Sequence, residues 1–201
     1  DGNWLVFDFG GGTFDVALVK VEEGIMKVID SEGDNYLGGK DLDYAIVDNI
    51  LMPYIKKEYS LDKFLENSSN ANKLRDALKV EAEKAKVQLS FNDSYRIESD
   101  PRDMRLEDDD GKDVSLDLEI TEEEIKKALE PVFQKAIDLT LELLNRINIK
   151  GSSLSTVLLV GGPTYSPVLR DMVKSEISKK VNTSIDPMTA VSTGAALFAS
   201  T

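Results

Sequence analysis

Apolar residues run together at the start of the chain, Trp4-Leu5-Val6-Phe7, and stop at Asp8. They resume after Gly10, Gly11, Gly12 and Thr13. The second run, Phe14 to Val21, is apolar and partly alternating, so the pair predicts two strands joined by a glycine turn. Glu22-Glu23-Gly24 predicts another turn. Ile25 to Ser31 predicts a third strand, with Ile25, Lys27 and Ile29 on one face and Met26 and Val28 on the other. Asp34 to Gly39 predicts a loop. Beyond it Asp41 or a neighbour caps a helix through Leu42, Ala45, Ile46, Asn49 and Ile50, which Pro53 kinks or ends.

Ser60 to Asn72 is polar and predicts a loop, with a short helical turn around Leu61 to Leu65. From Ala71 to Leu89, Leu74, Leu78, Ala82, Ala85 and Leu89 recur at spacings of three and four, predicting an amphipathic helix. Tyr95 to Glu98 and Met104 to Glu107 predict strands. The Asp-Gly pair in Glu107 to Lys112 predicts a hairpin turn leading into Val114, Leu116, Leu118 and Ile120. That acidic run lacks the twelve-residue ligand spacing of a calcium loop and reads as a solvated turn. Thr121-Glu122-Glu123-Glu124 is a capping box opening a long helix through Ile147, kinked at Pro131. Asn148 to Ser155 predicts a linker, Thr156 to Val160 a buried strand, and Pro167 to Lys180 a helix. A last helix starts at Asp186-Pro187 and runs through Phe198.

At 201 residues and 41 % apolar content the chain can bury a core, as one domain or two small lobes. Lys and Arg total 24 against 37 Asp and Glu, a net charge of −13, which disfavours nucleic acid and anionic membranes as partners. Any bound polyphosphate must therefore be held by backbone N–H groups and metal rather than by a cationic field. Cysteine and histidine are both absent. That excludes disulfides, thiolate and imidazole metal sites, and histidine-based catalytic triads. No signal peptide or membrane-length apolar run is present, and a chain that starts at Asp1 and enters a strand at once reads as an excised piece.

Chemistry concentrates at the first glycine turn. Asp8, Thr13 and Asp15 flank a row of bare backbone N–H groups, which form a nest for an anion. A carboxylate beside such a nest suits Mg²⁺, which keeps most of its waters. The glycines alone are equally well explained by a ligand-free hairpin turn; the three polar neighbours favour phosphate. No GxxxxGK[ST] occurs, and the turn opens a strand rather than a helix, so neither a P-loop nor a Rossmann fingerprint fits. Val160-Gly161-Gly162 is a second glycine turn, also following an apolar strand but feeding a helix, an arrangement that favours anions.

Six segments carry a resemblance. DFGGGTFD, Tyr36 to Asp43, EKAKVQLS at Glu83 to Ser90, ITEEEI at Ile120 to Ile125, LLVGGPTYSP at Leu158 to Pro167 and DPMTAVSTGAA at Asp186 to Ala196 follow one another in order. At this spacing they resemble the seventy-kilodalton heat-shock chaperones of the DnaK type, over the second lobe of that family's ATPase domain. The resemblance implies an α/β, actin-like (ribonuclease H-like) ATPase lobe with a mixed five-stranded sheet. Residues 1–38 and 119–201 would form subdomain IIA and residues 39–118 an inserted α+β subdomain IIB. It implies ATP or ADP with Mg²⁺ as ligands. Asp8 would hold the metal through water, Gly10, Gly11, Gly12 and Thr13 the β- and γ-phosphates, and Asp15 would orient the attacking water. Gly38 and Gly39 would lie near the sugar–phosphate end, Gly161 and Gly162 beneath the α-phosphate and ribose. Glu83, Lys86 and Ser90, on one helical stripe, would line the ribose and adenine. Implied partners are a preceding ATPase lobe, a following peptide-binding domain, a nucleotide exchange factor on Lys40 to Leu118 and a J-domain co-chaperone, in the cytoplasm.

Departures from the family pattern fall at the base and at one loop. Val87 and Tyr165 stand where the family has arginines that clamp adenine, Pro163 replaces a serine, Met188 an acidic residue, and Lys40 a glutamate. Tyr165 remains a candidate for stacking on a purine. Two readings follow: an ATP- and Mg²⁺-binding lobe of a hydrolysing chaperone, or a chaperone-like scaffold or exchange-factor-like protein with a drifted nucleotide pocket. A third, an actin-like filament protein, fits the Gly38 to Asp43 segment poorly.

Overall fold

A computed structural model describes residues 1–200. In chain order the first elements are β1 (Gly2–Phe9), β2 (Phe14–Glu22), β3 (Ile25–Asp34), α1 (Gly39–Ile46), a π-helical turn at Val47–Leu51, α2 (Met52–Glu58) and α3 (Asp62–Glu66). Next come α4 (Ser68–Gln88), β4 (Ser94–Glu98), α5 (Pro101–Met104), β5 (Asp117–Thr121) and α6 (Glu122–Arg146). The last are β6 (Thr156–Val160), α7 (Pro167–Met172), a π-helical turn at Val173–Ile177, β7 (Val181–Asn182) and α8 (Ala190–Ala199). They form two compact units, one of Asp1–Asp41 with the chain from Glu130 onward, the other of Leu42–Leu129.

The first unit is built on a mixed five-stranded sheet of order β3-β2-β1-β6-β7. β1 pairs antiparallel with β2 and parallel with β6, which is parallel to β7. Alternation sets the faces: Leu5, Phe7 and Phe9 on β1 and Phe14, Val16 and Leu18 on β2 are fully buried. Phe133 on α6 closes this core edge-on against Phe9, ring centroids 5.5 Å apart, and Phe7 lies 4.8 Å from Phe14. With Phe9 and Phe14 turned inward, their neighbours Asp8 and Asp15, paired across the ladder, are turned the other way. Register pairs Asp8 with Val160, so the glycine turns that follow β1 and β6 leave the sheet at the same end.

Several elements differ from expectation. β3 extends to Asp34, and its first five residues are exposed on both faces. Arg146 fastens the far part of that strand, donating to Asp30, Glu32 and the Ser31 carbonyl. The two-residue strand β7 carries no pattern long enough to read. The last helix begins at Ala190 rather than Asp186, because residues 186–189 form a turn in which the Thr189 amide bonds the Asp186 carbonyl. α8 buries none of its side chains.

In the second unit α4 buries Leu74, Leu78, Ala82 and Ala85 as its periodicity predicts, but starts earlier. Asn67 caps it by accepting from Ser69 and Asn70 amides. Helix continues through Pro53, which sits in the first turn of α2 directly after the π-helical turn, where a missing N–H is tolerated. Met104 to Glu107 is not a strand: Asp100 caps the short α5 with Pro101 at its start, leaving a lone bridge between Glu107 and Asp113. Val114 and Leu116 are buried outside any strand, the Leu116 amide donating to the Ser99 hydroxyl instead of a ladder carbonyl. The acidic run is neither bare nor a metal loop. Asp108 accepts from the Ser60, Asp110 and Lys112 amides, and Asp109 from the Lys63 and Phe64 amides at the start of α3. The capping box is present, with Thr121 and Glu124 bonding each other's amides.

Candidate phosphate site at two glycine corners

The hairpin between β1 and β2 is closed by the Gly10 amide on the Thr13 carbonyl, 2.9 Å. None of Gly10, Gly11 and Gly12 has φ in the left-handed region. At Gly11 and Gly12 an added Cβ would meet no protein atom within 4 Å. Neither backbone strain nor neighbouring protein therefore accounts for their lack of side chains, and the space over them is open. Around that bare tip the Asp8 carboxylate, Thr13 hydroxyl and Asp15 carboxylate make no hydrogen bond or ion pair among the described residues. Partial burial, and then the Asp15 carboxylate beside it, raises the Asp8 carboxyl above the usual aspartate range.

Gly38 and Gly39 form the seat of this hairpin. The Gly39 amide donates to the Gly10 carbonyl and the Lys40 amide to the Gly11 carbonyl, both 2.9 Å. A Cβ on Gly38 would fall 2.5 Å from Gly12 backbone. Asp41, the third residue of α1, accepts from the Gly38 amide at 2.8 Å. Gly33, a residue without an assigned role in the sequence reading, lies opposite Asp15 in the ladder. Its absent side chain leaves room for the Asp15 carboxylate, which stands 2.8 Å from where a Cβ would be. A glycine inside a strand pattern was the available signal.

The second corner meets the first. Gly161 has φ +93°, and a Cβ there would sit 2.1 Å from the Phe9 carbonyl oxygen, so only glycine lets the two backbones touch. The Gly161 amide bonds the Pro187 carbonyl at 3.0 Å, and Thr164 returns its hydroxyl to the Gly161 carbonyl at 2.7 Å. Tyr165 hydrogen-bonds Asp186 through its hydroxyl, holding the Asp186 carboxyl low and the phenol high. The Arg170 guanidinium lies 5.6 Å from the centroid of the same ring and bonds the Thr164 carbonyl. Asp8, Gly10, Gly11, Gly12, Thr13, Asp15, Gly38, Gly39, Gly161, Gly162 and Tyr165 thus all belong to the first unit. Asp186 and Arg170, which fix Tyr165, were not legible in the sequence.

Glu83, Lys86 and Ser90 belong to the second unit. Lys86 donates to the buried Asp43 carboxylate at 2.6 Å. Burial raises the Asp43 carboxyl, with Lys86 opposing the shift. Ser90 lies beyond the end of α4, its hydroxyl on the Lys86 carbonyl at 3.0 Å, so the stripe is helical only through Lys86. Glu83 is exposed.

Among the described residues no cluster of three or more His, Cys, Asp or Glu could hold a metal alone. Two carboxylates beside bare amides instead suit Mg²⁺ that retains water and shares phosphate oxygens. No helix among the described residues is long and apolar enough to cross a membrane.

Sheet, helices and converging corners make this an α/β lobe, and the family to which it is matched gives that lobe the actin-like fold. The family described as Hsp70 protein matches residues 1–201. The chain is similar to proteins called chaperone protein DnaK from Metamycoplasma hominis (36 % identity, 96 % of this chain, 31 % of the relative) and Mycoplasmopsis pulmonis (37 %, 96 % and 31 %). A third, of the same name from Cenarchaeum symbiosum, is 33 % identical over 97 % of this chain and 28 % of its own. The chain belongs to the Hsp70 family. It spans about three-tenths of the length of these relatives.

Gly161→Ala is expected to destabilise the fold by about 3 kcal/mol or more in urea titrations, whereas Gly11→Ala stays within about 0.5 kcal/mol of the parent sequence. Asp8→Asn is expected to raise the melting temperature at pH 7. The fold favours protonated Asp8, so the cost of its charge is absent below about pH 3.9, where folded and unfolded states are both protonated. It grows as pH rises and is complete above the raised folded value. Melts across pH should therefore show the gain from Asp8→Asn vanish in acid.

Proposed function

We propose that this chain is the ATP- and Mg²⁺-binding second lobe of a chaperone ATPase whose whole protein couples ATP hydrolysis to client-protein binding. The reading rests on one observation: Gly11 and Gly12 present backbone with no neighbour over it, ringed by three polar groups with no protein partner. The Gly10-Gly11-Gly12-Thr13 turn holds the β- and γ-phosphates, through the groups beyond the Gly10 amide, which closes the hairpin on the Thr13 carbonyl, and Gly161 with Gly162 pass beneath the α-phosphate and ribose. Asp8 binds Mg²⁺ through water, and the ion when present neutralises charge on the phosphate oxygens. Asp15 orients water for attack. Residues 1–38 and 119–201 correspond to subdomain IIA and residues 39–118 to subdomain IIB. A cytoplasmic location, a J-domain co-chaperone and an exchange factor belong to the same reading.

A non-hydrolysing, chaperone-like scaffold is the second reading. It is favoured by Tyr165, whose hydroxyl and ring face are engaged by Asp186 and Arg170 where the family pattern has an arginine that clamps adenine. Single-turnover hydrolysis by the protein carrying both lobes separates the two, since a scaffold turns over no ATP.

Calorimetric titration of Mg-ATP, Mg-ADP and Mg-GTP into this chain is expected to give weak binding that Gly11→Ala abolishes without unfolding the chain. No measurable steady-state hydrolysis is expected, because the resemblance puts the family's key lysine in the preceding lobe. Robust turnover by these 201 residues, or full binding by Gly11→Ala, would refute the assignment.

A further inference from the structure

Lys40 stands at the second position of α1, and its amide is bonded to the Gly11 carbonyl at 2.9 Å, so its Cα is held against the bare hairpin tip. In a helix each Cα–Cβ bond tilts toward the N-terminus, which here is the end seated on that tip. The side chain is exposed, and its ammonium makes no hydrogen bond or ion pair among the described residues. A cation in a first helical turn opposes the helix dipole. Asp41, its neighbour in sequence, is turned onto the Gly38 amide and makes no ion pair with it. Arg170, by contrast, is committed to the Thr164 carbonyl.

A lysine fixed by its backbone to a glycine cradle, unpaired in a chain of net charge −13, calls for an anion. We propose that Lys40 is a phosphate-binding residue whose ammonium closes over the terminal phosphates held by Gly10 to Thr13. This rests on the nucleotide-binding reading above and adds to it a residue that sets affinity by phosphate number. The four-carbon stem lets a point charge follow the phosphate without demanding bidentate geometry. In such a site the cation offsets charge that Asp8, Asp15 and a polyphosphate bring together.

The test titrates AMP, Mg-ADP, Mg-ATP and Mg-tripolyphosphate into the full chain and into Lys40→Met and Lys40→Arg, at low and moderate salt. Lys40→Met is expected to weaken Mg-ATP and Mg-tripolyphosphate about five- to tenfold, one charge-assisted contact, and AMP less than twofold. Its affinity should also depend less on salt, and Lys40→Arg should restore most of the loss. Melting no lower than the parent chain would verify that Lys40→Met is folded. Equal Mg-ATP affinity for the parent chain and Lys40→Met overturns the role of Lys40 and leaves the nucleotide reading standing. A parent chain that binds neither Mg-ATP nor Mg-tripolyphosphate overturns both.

Discussion

The contact on which the rest depends is backbone on backbone: Gly161 lies against the carbonyl of Phe9, with no room for a methyl group between them. Parallel pairing of β1 with β6 delivers both chain segments to the same end of the sheet. The buried phenylalanines Phe9, Phe14 and Phe133 then fix how far the hairpin can lean. The seat formed by Gly38 and Gly39 holds the hairpin from the α1 side by two amide–carbonyl bonds. A tip carrying open amides is thus pinned by hydrophobic packing below and by two backbone contacts beside it. Preorganisation of that kind lets neutral dipoles bind an anion without reorganising, which suits a protein this acidic.

The electrostatics of the site point the same way. Asp8 and Asp15 face each other across a ladder, where like charges repel. Such a pair weakens the empty fold and is useful when a cation occupies the space beside it. The base end differs. Tyr165 is fixed by Asp186 at one end and by Arg170 over its ring, so the corner is braced by its own neighbours there. In this member of the Hsp70 family the glycine hairpin keeps an open tip while the Tyr165 corner is filled by its own neighbours.

Much of this was legible because local pattern and tertiary environment agree. The first two strands, α4, the capping box at Thr121 and the order of glycine turns all follow from periods and caps that a chain segment shows by itself. What escaped depends on partners distant in sequence. Asp109 caps α3 across 46 residues, so the short helical turn could be read locally but the purpose of the acidic run could not. Ser99 replaces a ladder carbonyl for Leu116, turning an alternating strand pattern into irregular chain. β7 is two residues long and exists only by pairing with β6. At the site, the bare backbone of Gly10 to Gly12 was legible, but the close approach that demands glycine at Gly38 and Gly161 was not, because it depends on Gly12 and Phe9 far away in the chain.

The most direct measurement of convergence is a Mg-ATP titration of the ¹⁵N-labelled chain followed by amide NMR. Gly10, Gly11 and Gly12 should shift together with Gly161 and Gly162, all fitting one dissociation constant. Shifts confined to one corner, or two corners titrating with different constants, would contradict a single phosphate site built from both.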